Sequence, residues 1–182
     1  MKNRNVAILL ALFATSFASI GFAQNPMVGG HDMSAQENIV QNAMNSNDHT
    51  TLVAAVKAAG LVDTLEGAGP FTVFAPTNEA FAKLPAGAVD NLLKPENKDQ
   101  LTKVLTYHVV AGKFTSNDLR KKIKEGHGTA ELTTVEGGKL AAMMDGGKIV
   151  LKDEKGGTAT VTIPNVMQSN GVIHVVDSVL LP

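Results

Sequence analysis

Three of the chain's seven phenylalanines lie in one eleven-residue stretch, FTVFAPTNEAF, residues 71–81. Its first half is aromatic and β-branched, which favours a strand, and Pro76 ends that pattern because proline has no backbone N–H to donate to a neighbouring strand. Thr77 is a good helix N-cap, and Glu79 places a negative charge near the positive end of the helix that would follow. The stretch therefore predicts a strand that turns directly into a helix, with a hydrophobic core on both sides of the turn.

Two further stretches make this one part of an ordered set of three motifs. Residues 71–81 resemble the first motif of fasciclin (FAS1) domains, in which Thr-Val-Phe-Ala-Pro-Thr precedes an acidic or polar turn and Ala-Phe. LTYHVV, residues 105–110, resembles the central Tyr-His motif of those domains, and NGVIHVVDSVLLP, residues 170–182, resembles their closing motif. Three motifs in the right order are far more specific than one short pattern. The resemblance covers roughly residues 38–182.

The first 36 residues differ from the rest of the chain. Residues 1–23 have the pattern of a secretory signal peptide, with Lys2 and Arg4 before a mostly apolar run and small residues at the expected cleavage site. Residues 24–36 contain Pro and two Gly without hydrophobic periodicity, which predicts a flexible leader. We therefore expect a signal peptide (1–23), a leader (24–36) and one fasciclin-like domain (37–182). The exported protein would reside in the periplasm or the medium, with no further membrane span.

Charge and cysteine content exclude several classes of protein. Removing residues 1–23 takes away two basic residues and no acidic ones, so the formal net charge changes from −1 to −3. A mildly acidic chain without broad basic patches argues against nucleic acid as the main partner. The chain has no Cys, which rules out disulfides, thiol chemistry and Cys-based metal sites.

The order of the predicted elements indicates the fold class. Helical patterns dominate the first two thirds of the chain, and from Gly128 short β-prone runs alternate with Gly-Gly and Asp-Gly pairs, which is typical of an antiparallel meander. Residues 172–176 are apolar on both faces except His174, so we expect a central, buried strand. Helices followed by strands predict an α+β domain. The resemblance specifies it further: a wedge of β-sheet flanked by short helices.

The sequence contains no pattern typical of an enzyme. No nucleophile elbow, phosphate-binding loop, dinucleotide fingerprint or His-Glu-x-x-His motif is present. The five histidines are scattered, and His108 and His174 are expected to be buried and hydrogen-bonded within the chain. We therefore predict no catalytic residues, no metal and no cofactor.

The resemblance implies a function and a site. Fasciclin domains are extracellular or periplasmic adhesion modules, usually without enzymatic activity, so the expected partner is an envelope, matrix or host-surface protein. In animal fasciclin domains a Pro-Asp-Ile-Met-type segment and the Tyr-His region are linked to integrin contact. The matching residues here are Pro164, Asn165, Val166 and Met167, together with Tyr107 and His108. Asn165 replaces the family's Asp and offers no anionic oxygen to a cation, which argues against metal-dependent integrin binding.

Other interpretations remain open at this point. Residues 164–169 can simply connect two strands, and Tyr107, the only phenol, can sit at a surface contact. The predicted helix at 117–124 has four basic residues on its outer face, Arg120, Lys121, Lys122 and Lys124, which form either a solvated face or a contact for an anionic envelope surface. The alternative function is a periplasmic carrier for a small molecule or lipid, with weak hydrolytic activity, that uses a pocket between helices and sheet. The sequence does not predict the oligomeric state.

Overall fold

The computed structural model describes residues 25–182 of the chain. The predicted signal peptide, residues 1–23, lies outside the described residues, as does Gln24 at the start of the predicted leader.

Helices precede most of the strands. The described chain has α1 (Ile39–Asn45), α2 (Thr50–Ala59), α3 (Val62–Glu66), α4 (Asn78–Ala82), α5 (Ala88–Leu92), α6 (Lys98–Tyr107) and α7 (Ser116–Glu125). Its strands are β1 (Met27–Val28), β2 (His31–Asp32), β3 (Phe71–Pro76), β4 (Val109–Ala111), β5 (Thr129–Thr133), β6 (Lys139–Asp145), β7 (Lys148–Lys152), β8 (Thr158–Gln168) and β9 (Gly171–Val176). Single 3-10 turns span Asn47–His49 and Pro95–Asn97. The predicted α+β class is confirmed.

Seven strands form one sheet in the order β4-β3-β9-β8-β7-β6-β5. Strands β5 to β8 are the predicted antiparallel meander, and β9 lies between β8 and β3, as expected for a central buried strand. β3 runs parallel to β9, and Gly171 is required there because a Cβ at this position would clash with the Phe71 carbonyl oxygen. The two ends of the sheet meet at a bridge between Val110 and Thr134.

Strand β3 separates two hydrophobic cores. Val73 and Ala75 face the core formed with helices α1, α2 and α6, whereas Phe74 faces the core enclosed by the meander and α7. Successive residues of a strand point to opposite faces, so an uninterrupted apolar strand can supply both cores. Thr77 then caps α4 by accepting a hydrogen bond from the Ala80 N–H at 3.2 Å. Both features confirm the prediction for residues 71–81.

The structure differs from the expected flexible leader. Residues 27–32 form the β1–β2 hairpin, and Val28 and Met33 are 3% and 2% exposed within the core that β3 shares with α1, α2 and α6. The Asn47 N–H donates to the Gly29 carbonyl at 3.3 Å and ties the hairpin to the domain. Two apolar side chains with a place in the core are enough to order a segment that has no periodicity.

The connection expected at residues 164–169 is also different. β8 continues through these residues to Gln168, and its pairing with β9 shifts register twice, between Val161 and Ile163 and between Ile163 and Val166. Asn165 has φ +60°, a left-handed conformation that Asn tolerates better than most residues. Residues 163–166 therefore form a bulge within a long strand, which we call the β8 bulge.

Candidate functional site

Tyr107, the last residue of α6, is completely buried. Its hydroxyl donates to the Lys139 carbonyl at 2.6 Å and accepts from the Glu154 N–H at 3.2 Å. Burial raises the pKa of the Tyr107 hydroxyl above its ordinary value. The phenol thus connects the end of α6 to the meander, and the expectation of a tyrosine at a surface contact is corrected: this side chain fills the core because its one polar atom finds two backbone partners.

His108 follows directly and is 2% exposed. Its Nδ1 lies 2.7 Å from the Val104 carbonyl oxygen, and its Nε2 lies 3.0 Å from the Leu180 backbone nitrogen. A carbonyl can only accept and an amide N–H can only donate, so His108 is neutral with its proton on Nδ1. Burial lowers the pKa of His108 to about 4. The imidazole therefore joins the end of α6 to the chain's last residues.

A buried carboxylate, missed by sequence reasoning, holds the same C-terminal residues. Asp153 is 7% exposed, and its two oxygens accept from the Gly157 N–H at 2.6 Å and the Leu181 N–H at 3.0 Å. Asp153 begins a Gly-rich turn in the sequence, where an acid is ordinarily explained by local turn geometry. Together, His108 and Asp153 fix residues 178–182, the C-terminal segment, whose Leu180 is fully buried in the meander core.

The β8 bulge is held from two sides. The Asn165 side chain accepts from the Ser116 N–H and donates to the Ser116 hydroxyl, both at 2.7 Å, so it docks the first turn of α7. Its backbone N–H donates to Nδ1 of His174 at 3.3 Å. The other ring nitrogen of His174 donates to the Phe114 carbonyl at 2.8 Å, and burial lowers the pKa of His174. As expected, His108 and His174 are buried, hydrogen-bonded residues.

The six candidate partner-binding residues therefore divide into two groups. Tyr107, His108 and Val166 are buried, whereas Pro164 is exposed and Asn165 and Met167 are half-buried. The hydrogen bonds of Tyr107 and His108 share no partner with those of Asn165. The structure thus places one group inside the domain and leaves part of the other on its surface.

Two interior cavities lie between α1, α2 and β3, at the place expected for a carrier's pocket. Their volumes are about 30 and 20 Å³, and their walls are almost entirely apolar. Because one water needs roughly 10–15 Å³, the larger cavity has room for two or three waters and the smaller for one or two, and neither is large enough for a lipid chain.

Within residues 25–182, no group of three metal-ligating side chains lies close enough to hold an ion. None of the helices in that range is both long and apolar enough to cross a bilayer.

These features define an α+β domain in which the central Tyr-His pair is hydrogen-bonded to the meander and to the C-terminal segment. The family model for the fasciclin domain matches residues 47–182. The protein sll1483 of Synechocystis is 50% identical over 144 residues, which cover 79% of this chain and 73% of the relative. The cell surface glycolipoprotein MPB83 of Mycobacterium bovis is 36% identical over 169 residues, covering 88% of this chain and 68% of the relative.

A solved structure with a similar fold is the FAS1 domain pair from the insect cell adhesion molecule fasciclin I. It superposes with a TM-score of 0.72 at 22% identity, covering 80% of this chain and 51% of the two-domain chain. The chain belongs to the fasciclin family.

Proposed function

We propose that the protein is an exported adhesion or protein-interaction module, without enzymatic activity of its own, that binds an envelope, matrix or host-surface protein. Three observations support the proposal: the fasciclin family, the relatives described as a cell surface glycolipoprotein and a cell adhesion molecule, and the signal-peptide pattern of residues 1–23. Export would carry the folded domain to a place where such a partner is available.

The observation that favours a particular contact surface is the β8 bulge. Pro164 is exposed there, and the next residue is fixed through Ser116 and His174. A contact surface that is already rigid loses little conformational entropy on binding. We propose that Pro164 and the exposed part of Met167 contact the partner, while Tyr107 and His108 contribute indirectly by holding the domain together.

Site-specific photo-crosslinking tests this proposal. A photo-crosslinking amino acid replaces Pro164 in one sample and Met144, which is 39% exposed on β6, in a matched control. Each exported protein is irradiated with envelope fractions and with purified matrix proteins, and adducts are identified by mass spectrometry. We expect a defined protein adduct from position 164 that is absent from position 144. Equal adducts from both positions, or none from either, would contradict the proposed surface.

A further inference from the structure

The inference concerns a surface cleft formed by α7, the β6–β7 turn and the start of the β8 bulge. Its volume is about 130 Å³, several times that of either interior cavity. At roughly 10–15 Å³ per water, it has room for a ligand of several heavy atoms. The residues around it are Ser116, Arg120, Lys148, Ile149, Thr162 and Pro164, with Val161 and the turn residue Gly147.

Two cations line this cleft. Arg120 projects from α7, and Lys148 is the first residue of β7. The ion pairs found in residues 25–182 are Lys83–Asp177, Lys121–Glu125 and Lys139–Glu131, so neither Arg120 nor Lys148 has a carboxylate within 4.0 Å in that range. Arg120 makes one long hydrogen bond, from Nη2 to the Gly147 carbonyl at 3.4 Å, which leaves most of its donors available.

The cleft also contains a hydroxyl donor and a positive helix end. Ser116 Oγ accepts from the Asn165 amide, which leaves its own hydrogen free to be donated. Ser116 is the first residue of the ten-residue helix α7, whose N-terminus carries partial positive charge. Two acidic residues lie near the cleft. The Asp118 carboxylate accepts hydrogen bonds from the Thr115 N–H and hydroxyl at 2.8 and 2.7 Å. Asp145 lies opposite Lys148 in the strand register, but the two do not form an ion pair.

The floor of the cleft is apolar. Ile149 and Val161 are 2% and 5% exposed, and Pro164 contributes an exposed ring at the edge. Cations on one side and apolar surface on the other suit a ligand with an anionic group and a partly apolar body. A sugar ring with a carboxylate or an ester of sulfate or phosphate has this combination, since its C–H face packs on apolar side chains while its charged group meets Arg and Lys.

We infer that this cleft is a binding site for the oxyanion group of an acidic sugar, with Arg120 and Lys148 as its cationic ligands and Ser116 as a hydroxyl donor. The inference goes beyond the proposed adhesion role, because it requires no protein partner. It also separates Arg120 from the three exposed lysines of α7, which do not line the cleft.

The test is a titration of the exported protein followed by amide NMR, with sodium chloride adjusted to keep the ionic strength constant. The probes are glucuronate, glucose 6-sulfate and glucose 6-phosphate, with glucose as the neutral control. We expect saturable shifts of the Ser116 and Gly147 amides with at least one charged probe and none with glucose. The probe that binds most tightly shows whether the site prefers a carboxylate, a sulfate ester or a phosphate ester. No saturable shift with any charged probe, or equal shifts with glucose, would overturn the inference.

Two charge-matched double variants make the test specific. Arg120→Gln with Lys148→Gln removes both cations of the cleft, and we expect the affinity to fall roughly tenfold or more. Lys121→Gln with Lys124→Gln removes the same charge from the outer face of α7 and should leave the affinity within about twofold. All four side chains are exposed, so both variants should keep the wild-type melting temperature. An equal loss of affinity in both variants would show that binding of the charged probes depends on net charge alone and would overturn the inference.

Discussion

Tyr107–His108 and the β8 bulge are matched by the same family resemblance, yet they occupy opposite environments. The polar atoms of Tyr107 and His108 are all bonded to backbone groups of the domain itself. In the bulge, the backbone N–H and side chain of Asn165 are bonded inward, while Pro164 beside it faces solvent. Residues matched by the same resemblance can therefore differ in environment: Tyr107 and His108 are bonded entirely within the domain, whereas Pro164 remains open to solvent.

This difference predicts where substitutions affect stability and where they affect binding. Buried side chains whose hydrogen bonds join distant segments should dominate the free energy of unfolding. Exposed residues on an already fixed backbone should dominate partner contact instead.

The largest effect is expected at Tyr107. Tyr107→Ala removes a fully buried ring and leaves the Glu154 N–H and Lys139 carbonyl without their partner, so we expect a loss of about 3–5 kcal/mol in the free energy of unfolding. Tyr107→Phe keeps the ring and should cost about 1–3 kcal/mol. Urea unfolding measures both. A Tyr107→Ala variant as stable as the wild type would contradict the interior role.

Acidification should have the next largest effect. The pKa of His108 is about 4 in the folded protein, against the ordinary histidine value of 6.5 in the unfolded chain, so below pH 6.5 the unfolded chain binds more protons than the folded one. The stabilisation is complete above pH 6.5 and is lost as the pH falls through 4, by about 3 kcal/mol from this residue. Burial also lowers the pKa of His49 and His174, which adds to the same slope.

Urea unfolding at a series of pH values from 4 to 7.5 measures this slope, and His108→Gln is the matched control because it cannot titrate. The control should be less stable at pH 7 and should show a shallower pH dependence. A pH dependence of the same steepness in both proteins would assign the effect to other groups.

Asn165 should give an intermediate effect. Asn165→Ala leaves the Ser116 N–H without its acceptor and places Ala at φ +60°, so we expect a loss of about 2–3 kcal/mol. Asn165→Asp should stay within about 1 kcal/mol of the wild type, because a carboxylate still accepts from the Ser116 N–H at the start of α7, and the Ser116 hydroxyl, which accepts from Asn165 in the wild type, can turn and donate to it. Thermal unfolding of the two variants separates them. Equal losses would mean that the Ser116 contacts contribute little.

The smallest effect on stability is expected at Pro164. Pro164→Ala changes an exposed side chain and should alter the free energy of unfolding by no more than about 0.5 kcal/mol. If the proposed surface is right, the same substitution weakens partner capture measurably, which no buried variant can do without also destabilising the domain. Capture assays on variants of matched stability test this, and undiminished capture by Pro164→Ala would move the surface elsewhere.

Local patterns predicted much of the fold because they report burial. The apolar run of residues 71–76 and the turn pairs of the meander specified strands whose environments the structure confirms. The β8 bulge was not predictable, since its course depends on Asn165 bonding to Ser116, 49 positions away. The same holds for Asp153, whose partner Leu181 is 28 positions away. Long-range hydrogen bonds leave no periodic trace in a sequence.

The sequence identified the residues of the candidate site, but it predicted only part of their burial. The apolar residues Leu101, Val104 and Leu105 recur at helical spacing and place His108 on the same face, which indicates burial for His108. The same pattern does not indicate burial for Tyr107, whose place in the core depends on two backbone partners in the meander. The charged cleft escaped prediction because Arg120 and Lys148 come together only through the packing of α7 on the β6–β7 turn.

The central claim is that His108 acts from the interior by accepting a hydrogen bond from the C-terminal segment. Long-range proton–nitrogen NMR of its imidazole, recorded from pH 7.5 to 4.5, tests this directly. The account predicts a neutral ring protonated on Nδ1, with an unprotonated Nε2, and no titration until the pH approaches 4. A ring that titrates near 6.5 would place His108 in contact with solvent, and a proton on Nε2 would leave that nitrogen unable to accept from the Leu180 N–H; either result would contradict the account.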